Sequence, residues 1–212
     1  MTHLTAFDAA FATLPLIAIL RGVRPDEVEA VGEALVVAGF TIIEVPLNSP
    51  EPFDGIARLA RAVAGRAVVG AGTVLKVEDV ARVEAAGGTL IISPNANTAV
   101  IAEAARRGLV SLPGIATPTE AFAALDAGAA ALKLFPAEAA SPGVLKAMRA
   151  VLPGTARVLP VGGIGPATMA PWLQAGAAGF GLGGALYAAG LGADEVGARA
   201  TDFVTAYRAL AG

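Results

Sequence analysis

One lysine and one glutamate stand where a soluble protein rarely places charge. Of the three lysines, Lys76 and Lys146 fall at or within helical stretches. Lys133 alone lies inside an apolar run, Ala130-Ala-Leu-Lys-Leu-Phe-Pro136. Strand alternation puts Lys133 and Phe135 on one face, with Leu132 and Leu134 on the other. A buried ammonium is costly, so burial lowers its pKa and supplies the neutral amine that attacks a carbonyl. The same lysine could instead snorkel to a rim or only bind an anion. Among the 18 acidic residues, only Glu44 falls within a strand run, Thr41-Ile-Ile-Glu-Val-Pro-Leu47. An interior carboxylate near an amine can shuttle a proton, directly or through water. The alternative is a structural ion pair with Lys133 or Arg21.

Further positions fit a site for an acidic keto compound. Arg21 ends the first strand run, where it could hold a carboxylate or sit in a rim salt bridge. Thr73 ends Gly70-Ala-Gly-Thr73 and could bond that carboxylate or cap the next helix. Pro94-Asn95 and Pro113-Gly114 follow the fourth and fifth runs, as site floor or as plain turns. Two glycine-rich turns, Val161-Gly-Gly-Ile-Gly165 and Gly181-Leu-Gly-Gly-Ala185, follow the last two runs. Turns without side chains let backbone N–H groups approach a phosphate, assisted by a short helix at 185–188.

The elements that must hold these groups repeat. Candidate strands at 16–20, 41–47, 67–70, 90–93, 109–112, 131–135, 157–161 and 178–181 alternate with alanine-rich amphipathic stretches. Residues 26–38 place Val28, Val31, Leu35 and Ala38 on one helical face. Thr117-Pro-Thr-Glu120 reads as a capping box, and Ser141-Pro142 as a second cap. Gly39, Gly87, Gly108, Gly128 and Gly176 each precede a strand, where a helix ends in a left-handed residue. Their spacing of ~20 residues or its multiples is that of a βα unit in a small barrel. Eight uniform units, with no Gly-x-Gly-x-x-Gly after the first strand, favour a closed (β/α)8 TIM barrel over an open doubly wound sheet. Residues 5–13 form an extra N-terminal helix, and the chain reads as one domain over 1–212. In such a barrel, catalytic groups come from the C-terminal ends of strands.

Composition closes off other chemistry. With no cysteine, and His3 as the sole histidine, thiolate sites, a Ser-His-Asp triad and multi-histidine zinc sites are excluded. The chain is 55% hydrophobic and 16% charged with net charge −3, enough apolar residue for a large core. Its charges are interspersed without a basic face, which argues against nucleic acid. Residues 1–14 lack the pattern of a signal peptide, and apolar runs are interrupted before they could span a bilayer. The expectation is a soluble cytoplasmic protein in which any metal would need oxygen ligands.

Five segments carry a resemblance. Pro15-Leu-Ile-Ala-Ile-Leu-Arg-Gly22, Glu44-Val-Pro-Leu-Asn-Ser-Pro50, Gly70-Ala-Gly-Thr-Val-Leu75, Leu132-Lys-Leu-Phe-Pro136 and Val161-Gly-Gly-Ile164 resemble, in order, the signature segments of the 2-keto-3-deoxy-6-phosphogluconate/6-phosphogalactonate aldolases. The resemblance covers the chain from about residue 14 onward. It implies a metal-independent class I aldolase, usually a homotrimer, that cleaves a phosphorylated keto-deoxy sugar acid to pyruvate and glyceraldehyde 3-phosphate. It gives Lys133 the Schiff-base role and Glu44 the acid/base role. It puts Arg21 and Thr73 at the pyruvate end, Phe135 beside the lysine, and Gly162, Gly163, Gly183 and Gly184 in the phosphate turns. Gluconate-type members usually read Leu-Arg-Thr where this chain has Leu47-Asn48-Ser49, threonine at Val161 and glycine at Asn95. All three differences are similar to the galactonate-type pattern. The gluconate epimer or both substrates, a phosphosugar-binding barrel without activity, and a phosphosugar isomerase are the rival readings. One departure stands out: family members commonly carry serine where this chain has Gly184, so a hydroxyl contact to phosphate is lost.

Overall fold

The structure is a computed structural model describing residues 2–211. Helix α1 (His3–Thr13) precedes strand β1 (Leu16–Ile19). Then follow α2 (Val28–Ala38), β2 (Ile42–Pro46), α3 (Pro52–Ala62), β3 (Val68–Gly72), α4 (Val77–Ala85), β4 (Leu90–Ile92) and α5 (Thr98–Arg106). The second half holds β5 (Val110–Leu112), β6 (Gly114–Ile115), α6 (Pro118–Asp126), β7 (Leu132–Leu134), α7 (Pro142–Arg149), β8 (Val158–Pro160), α8 (Met169–Gln174), β9 (Phe180–Leu182) and α9 (Ala193–Ala211).

All observed pairings are parallel. One sheet runs β5-β4-β3-β2-β1-β9 and a second runs β6-β7-β8. The strands curl into a half-barrel, as expected when each connection is a helix packed outside the sheet. Backbone bonds continue across both seams. Ala130 N–H donates to Ser111 O at 2.9 Å, and Ala178 N–H donates to Val158 O at 2.9 Å. Val161 and Gly181 also form a parallel bridge.

The side-chain period of two splits the core into two shells. Leu16, Ala18, Ile43, Val45, Leu132 and Leu134 pack outward against the helices. Ile17, Ile42, Val68, Leu90, Ile92, Val110, Leu112 and Leu159 pack inward. Phe7 and Phe11 of α1 join the inner shell, with ring centroids 5.5 Å apart. Thr41 Oγ1 donates to Ala10 O at 2.8 Å and fixes α1 against the sheet. One end of the inner core is therefore stoppered by a helix.

Local signals end the helices where the sequence places them. Thr117 and Glu120 form the capping box, and Ser141 Oγ accepts from Val144 N–H at 3.3 Å. Gly39, Gly87, Gly108, Gly128 and Gly176 all have positive φ. Three expectations need correction. The third strand runs past residue 70 to Gly72, because its glycines pack tightly rather than turning. The fifth strand is interrupted at Pro113, which has no N–H for the ladder, and Gly114 belongs to β6 rather than to a turn. Residues 185–188 form no helix. A single turn closes there, with Leu186 and Tyr187 N–H both donating to Gly183 O.

Candidate active site

The C-terminal ends of the strands bring most of the expected residues together. Lys133 projects inward from the middle of β7 and is 6% exposed. Glu44 projects inward from β2 and is 1% exposed. They line the same small cavity with Ile17, Ile19, Ile92, Leu112, Leu159, Val161 and Gly181. Apart from the two charges, its side chains are all apolar.

That environment sets their protonation. Burial raises the Glu44 carboxyl from its ordinary 4.5 to about 7, against the opposing pull of Lys133, Arg21 and the Gly72 N–H. Burial also lowers Lys133, and Arg21 adds to this, while Glu44 opposes it. Glu44 Oε2 is buried with no hydrogen-bond partner. Neither Glu44 nor Lys133 enters an ion pair among the described residues, so the structural ion pair envisaged for Glu44 is not formed. Lys133 Nζ stands 4.6 Å from the ring centroid of Phe135, an arrangement that keeps the amine near the cavity. Burial thus pushes each group toward its neutral form and leaves it short of partners.

Glycine makes room for this arrangement. A side chain at Gly72 would collide with the Glu44 carboxylate. Thr73 follows in the left-handed region, at φ 57°, which is uncommon for a residue with a Cβ. It does not cap α4, whose N-cap is Lys76.

The cavity opens into a cleft of ≈ 570 Å³, within the range of roughly 300–1,000 Å³ usual for small-molecule sites. Arg21, Lys133, Phe135, Val161, Gly162, Gly163, Gly183 and Gly184 all line it. Arg21 is held by its Nη1–H donating to Asn48 Oδ1 at 3.3 Å. Gly22 N–H donates to Ser49 Oγ at 2.9 Å, tying the loops after β1 and β2 together. Gly162 and Gly163 have φ of 111° and 64°, which opens the turn after β8. Arg21, Lys133 and bare glycine backbone share this one cleft, a combination that suits an acid with a long polar tail.

Thr73, Pro94 and Asn95 do not line the cleft. Pro94 and Asn95 follow β4 and lie against Gly114, where a Cβ would stand 2.9 Å from Asn95 N. Three residues at the site escaped the sequence reading, Gly72, Tyr187 and Glu138, and a fourth, Asn48, was read there for specificity alone. Gly72 was hidden because its contribution is the absence of a side chain. Asn48 acts through Arg21 and touches no cavity wall. Tyr187 lines the cleft with its hydroxyl buried and unpartnered. Glu138 lines the cleft from the 3-10 turn after β7, outside the strand runs in which a buried charge stands out. Its place just beyond a strand's C-terminal end was the signal that could have found it.

Residues 7–199 match the family model "Aldolase: KDPG and KHG aldolase". A 2-dehydro-3-deoxy-6-phosphogalactonate aldolase of Escherichia coli (strain K12) is 48% identical over 92% of this chain and 95% of its own length. The native KDPGal structure superposes with a TM-score of 0.92 at 47% identity, over 93% of this chain and 96% of that one. A KDPG aldolase from Legionella pneumophila, with pyruvate captured at low pH as a covalent carbinolamine intermediate, gives 0.79 at 25% identity over 95% and 96%.

Proposed function

The chain belongs to the KDPG and KHG aldolase family, and from that premise we propose that it is a class I aldolase acting without metal or cofactor. Its substrate in this reading is 2-dehydro-3-deoxy-6-phosphogalactonate, cleaved to pyruvate and D-glyceraldehyde 3-phosphate. One observation carries the proposal. Lys133 and Glu44 are buried at one apolar cavity, and both are pushed toward their neutral forms.

The neutral Lys133 amine adds to the C2 ketone, and loss of water gives an iminium. Glu44, through a water, takes the proton of the C4 hydroxyl. A carboxyl titrating about 7 is suited to that exchange near neutral pH. The C3–C4 bond breaks, its electron pair enters the iminium, and glyceraldehyde 3-phosphate leaves. The enamine is reprotonated at C3 and hydrolysed, which releases pyruvate and restores the amine. Arg21 holds the substrate carboxylate, Phe135 packs beside the reacting carbon, and the Gly162–Gly163 and Gly183–Gly184 turns receive the phosphate. The covalent pyruvate adduct of the Legionella relative supports the same course here.

Val161 supports the galactonate epimer. It is 6% exposed and presents an apolar wall between the lysine and the glycine turn, where a hydroxyl donor would favour the other C4 configuration. Asn95 stands outside the cleft, so Val161 carries more of that discrimination. The seam bonds support reading the two sheets as one closed (β/α)8 barrel stoppered by α1. We also propose a homotrimer, to be tested by light scattering, in the cytoplasm; among the described residues no helix is long and apolar enough to cross a membrane.

The test is pyruvate release from both 6-phosphorylated epimers with EDTA present. Turnover of the galactonate epimer alone is expected. Equal turnover would give the enzyme dual specificity, and turnover lost to EDTA would defeat metal independence. Borohydride with pyruvate should label Lys133. Binding without pyruvate release would indicate a phosphosugar-binding barrel, and isomerisation unaffected by borohydride an isomerase.

A further inference from the structure

Among the described residues Glu138 is the sole acidic side chain lining the cleft, and the reaction above gives it no task. It sits in the 3-10 turn Ala137–Ala139, after the cis Phe135–Pro136 peptide. Ala137 N–H donates to Val161 O at 2.9 Å, so the turn is anchored to the strand that leads into Gly162. A side chain at Gly162 would collide with Glu138 Oε2, and a Cβ at Gly163 would stand 2.9 Å from Glu138 Cγ. The carboxylate therefore rests on the open glycine turn.

It does so without a counter-charge. Glu138 enters no ion pair or side-chain hydrogen bond among the described residues. The cleft's two basic side chains, Arg21 and Lys133, are engaged elsewhere: Arg21 with Asn48, and Lys133 over Phe135. Gly183 and Gly184 on the opposite turn have open space and no side chain to offer. The Gly162–Gly163 turn thus combines backbone suited to an anion with one carboxylate that has no counter-charge.

We propose that Glu138 is a specificity-determining residue that reduces the site's preference for a phosphorylated tail over a hydroxyl tail. The proposal rests on the aldolase reading and deepens it. A phosphate must enter against the carboxylate or push it off the turn. A terminal hydroxyl can instead donate to it. The phosphorylated acid remains a substrate, and the unphosphorylated keto-deoxy sugar acid becomes a competent second one.

The test compares kcat/KM for the phosphorylated and unphosphorylated keto-deoxygalactonates in the wild type, Glu138→Gln and Glu138→Asp. Glutamine keeps the shape and removes the charge. It should raise the phosphorylated-to-unphosphorylated ratio about tenfold, mainly through KM. Inorganic phosphate should bind more tightly to Glu138→Gln by calorimetry, and Glu138→Asp should keep the wild-type ratio. A ratio unchanged or lowered in Glu138→Gln, or phosphate binding no tighter, overturns the proposal. If the wild type cleaves neither acid and borohydride labels no lysine, the aldolase reading fails instead. Phosphate calorimetry then still decides whether Glu138 opposes an anion at this turn.

Discussion

The two ends of the strand bundle obey opposite rules. At the N-terminal end, Phe7 and Phe11 fill the interior, and the nearby charges are paired in half-exposed positions: Asp8 accepts from Arg157 at 2.6 Å. At the C-terminal end, Glu44 and Lys133 are buried, unpaired and shifted toward neutrality. A cavity of ≈ 490 Å³ also opens beside α1, but small residues dominate its wall and it holds no buried charge. Cavity size therefore does not identify the site. Polar groups held against their solvation preference do. One end contributes stability, and the other gives some of it up for reactive groups.

The sharpest way to break the contrast is Lys133→Met. Activity should fall by on the order of 10⁴-fold or more, because among the described residues no other amine lines the cavity. Folding stability should hold or rise, since an apolar side chain replaces a poorly solvated amine. Turnover by coupled assay and a urea midpoint read both quantities. A variant that loses stability in step with activity would mean that Lys133 is structural.

Glu44→Gln tests the same end through pH. The folded carboxyl is raised from 4.5 to about 7, so between those values the folded state holds a proton that the unfolded chain releases. That contribution to stability is complete below about pH 4.5 and is lost as pH rises through 7. It amounts to about 3 kcal/mol at most, from the size of the shift. Wild-type unfolding midpoints should decline across this window while activity climbs, as the base ionises. Glu44→Gln should flatten the stability profile and lower kcat by roughly 10²–10³-fold. A wild-type profile that rises with pH would contradict the burial-driven shift.

How much of this was readable beforehand follows the same division. Lys133 and Glu44 were legible because charge inside a β-branched run is unusual and alternation assigns its face. The helix ends were legible because Thr117, Ser141 and the left-handed glycines act within a few residues of chain. Gly70 was misread as the end of its strand, which runs on to Gly72, because the role of both glycines is tertiary. A Cβ at Gly70 would collide with the Leu90 backbone, and one at Gly72 with Glu44. Glu138 and the 183–187 turn were misjudged for a related reason: what a loop does depends on which other loop it meets. Gly72→Ala is the matching experiment. Overpacking against Glu44 should cost about 2 kcal/mol and impair turnover together, measured by denaturant midpoint and steady-state assay. Full activity in that variant would show that the carboxylate has room the structure does not reveal.

Asp8→Asn probes the other end and has the smallest expected effect. Its carboxylate pairs with Arg157, whose guanidinium also lies 5.1 Å from the ring centroid of Phe11. The side chains are 44% and 34% exposed, so water and salt screen much of the attraction. Breaking the pair should lower stability by about 0.5 kcal/mol, and the difference should vanish in 1 M salt. Turnover should be unaffected, because α1 contributes nothing to the cleft. A loss of activity from this change would mean that the stopper helix transmits strain along the strands to Lys133, and the two ends could no longer be treated as separate.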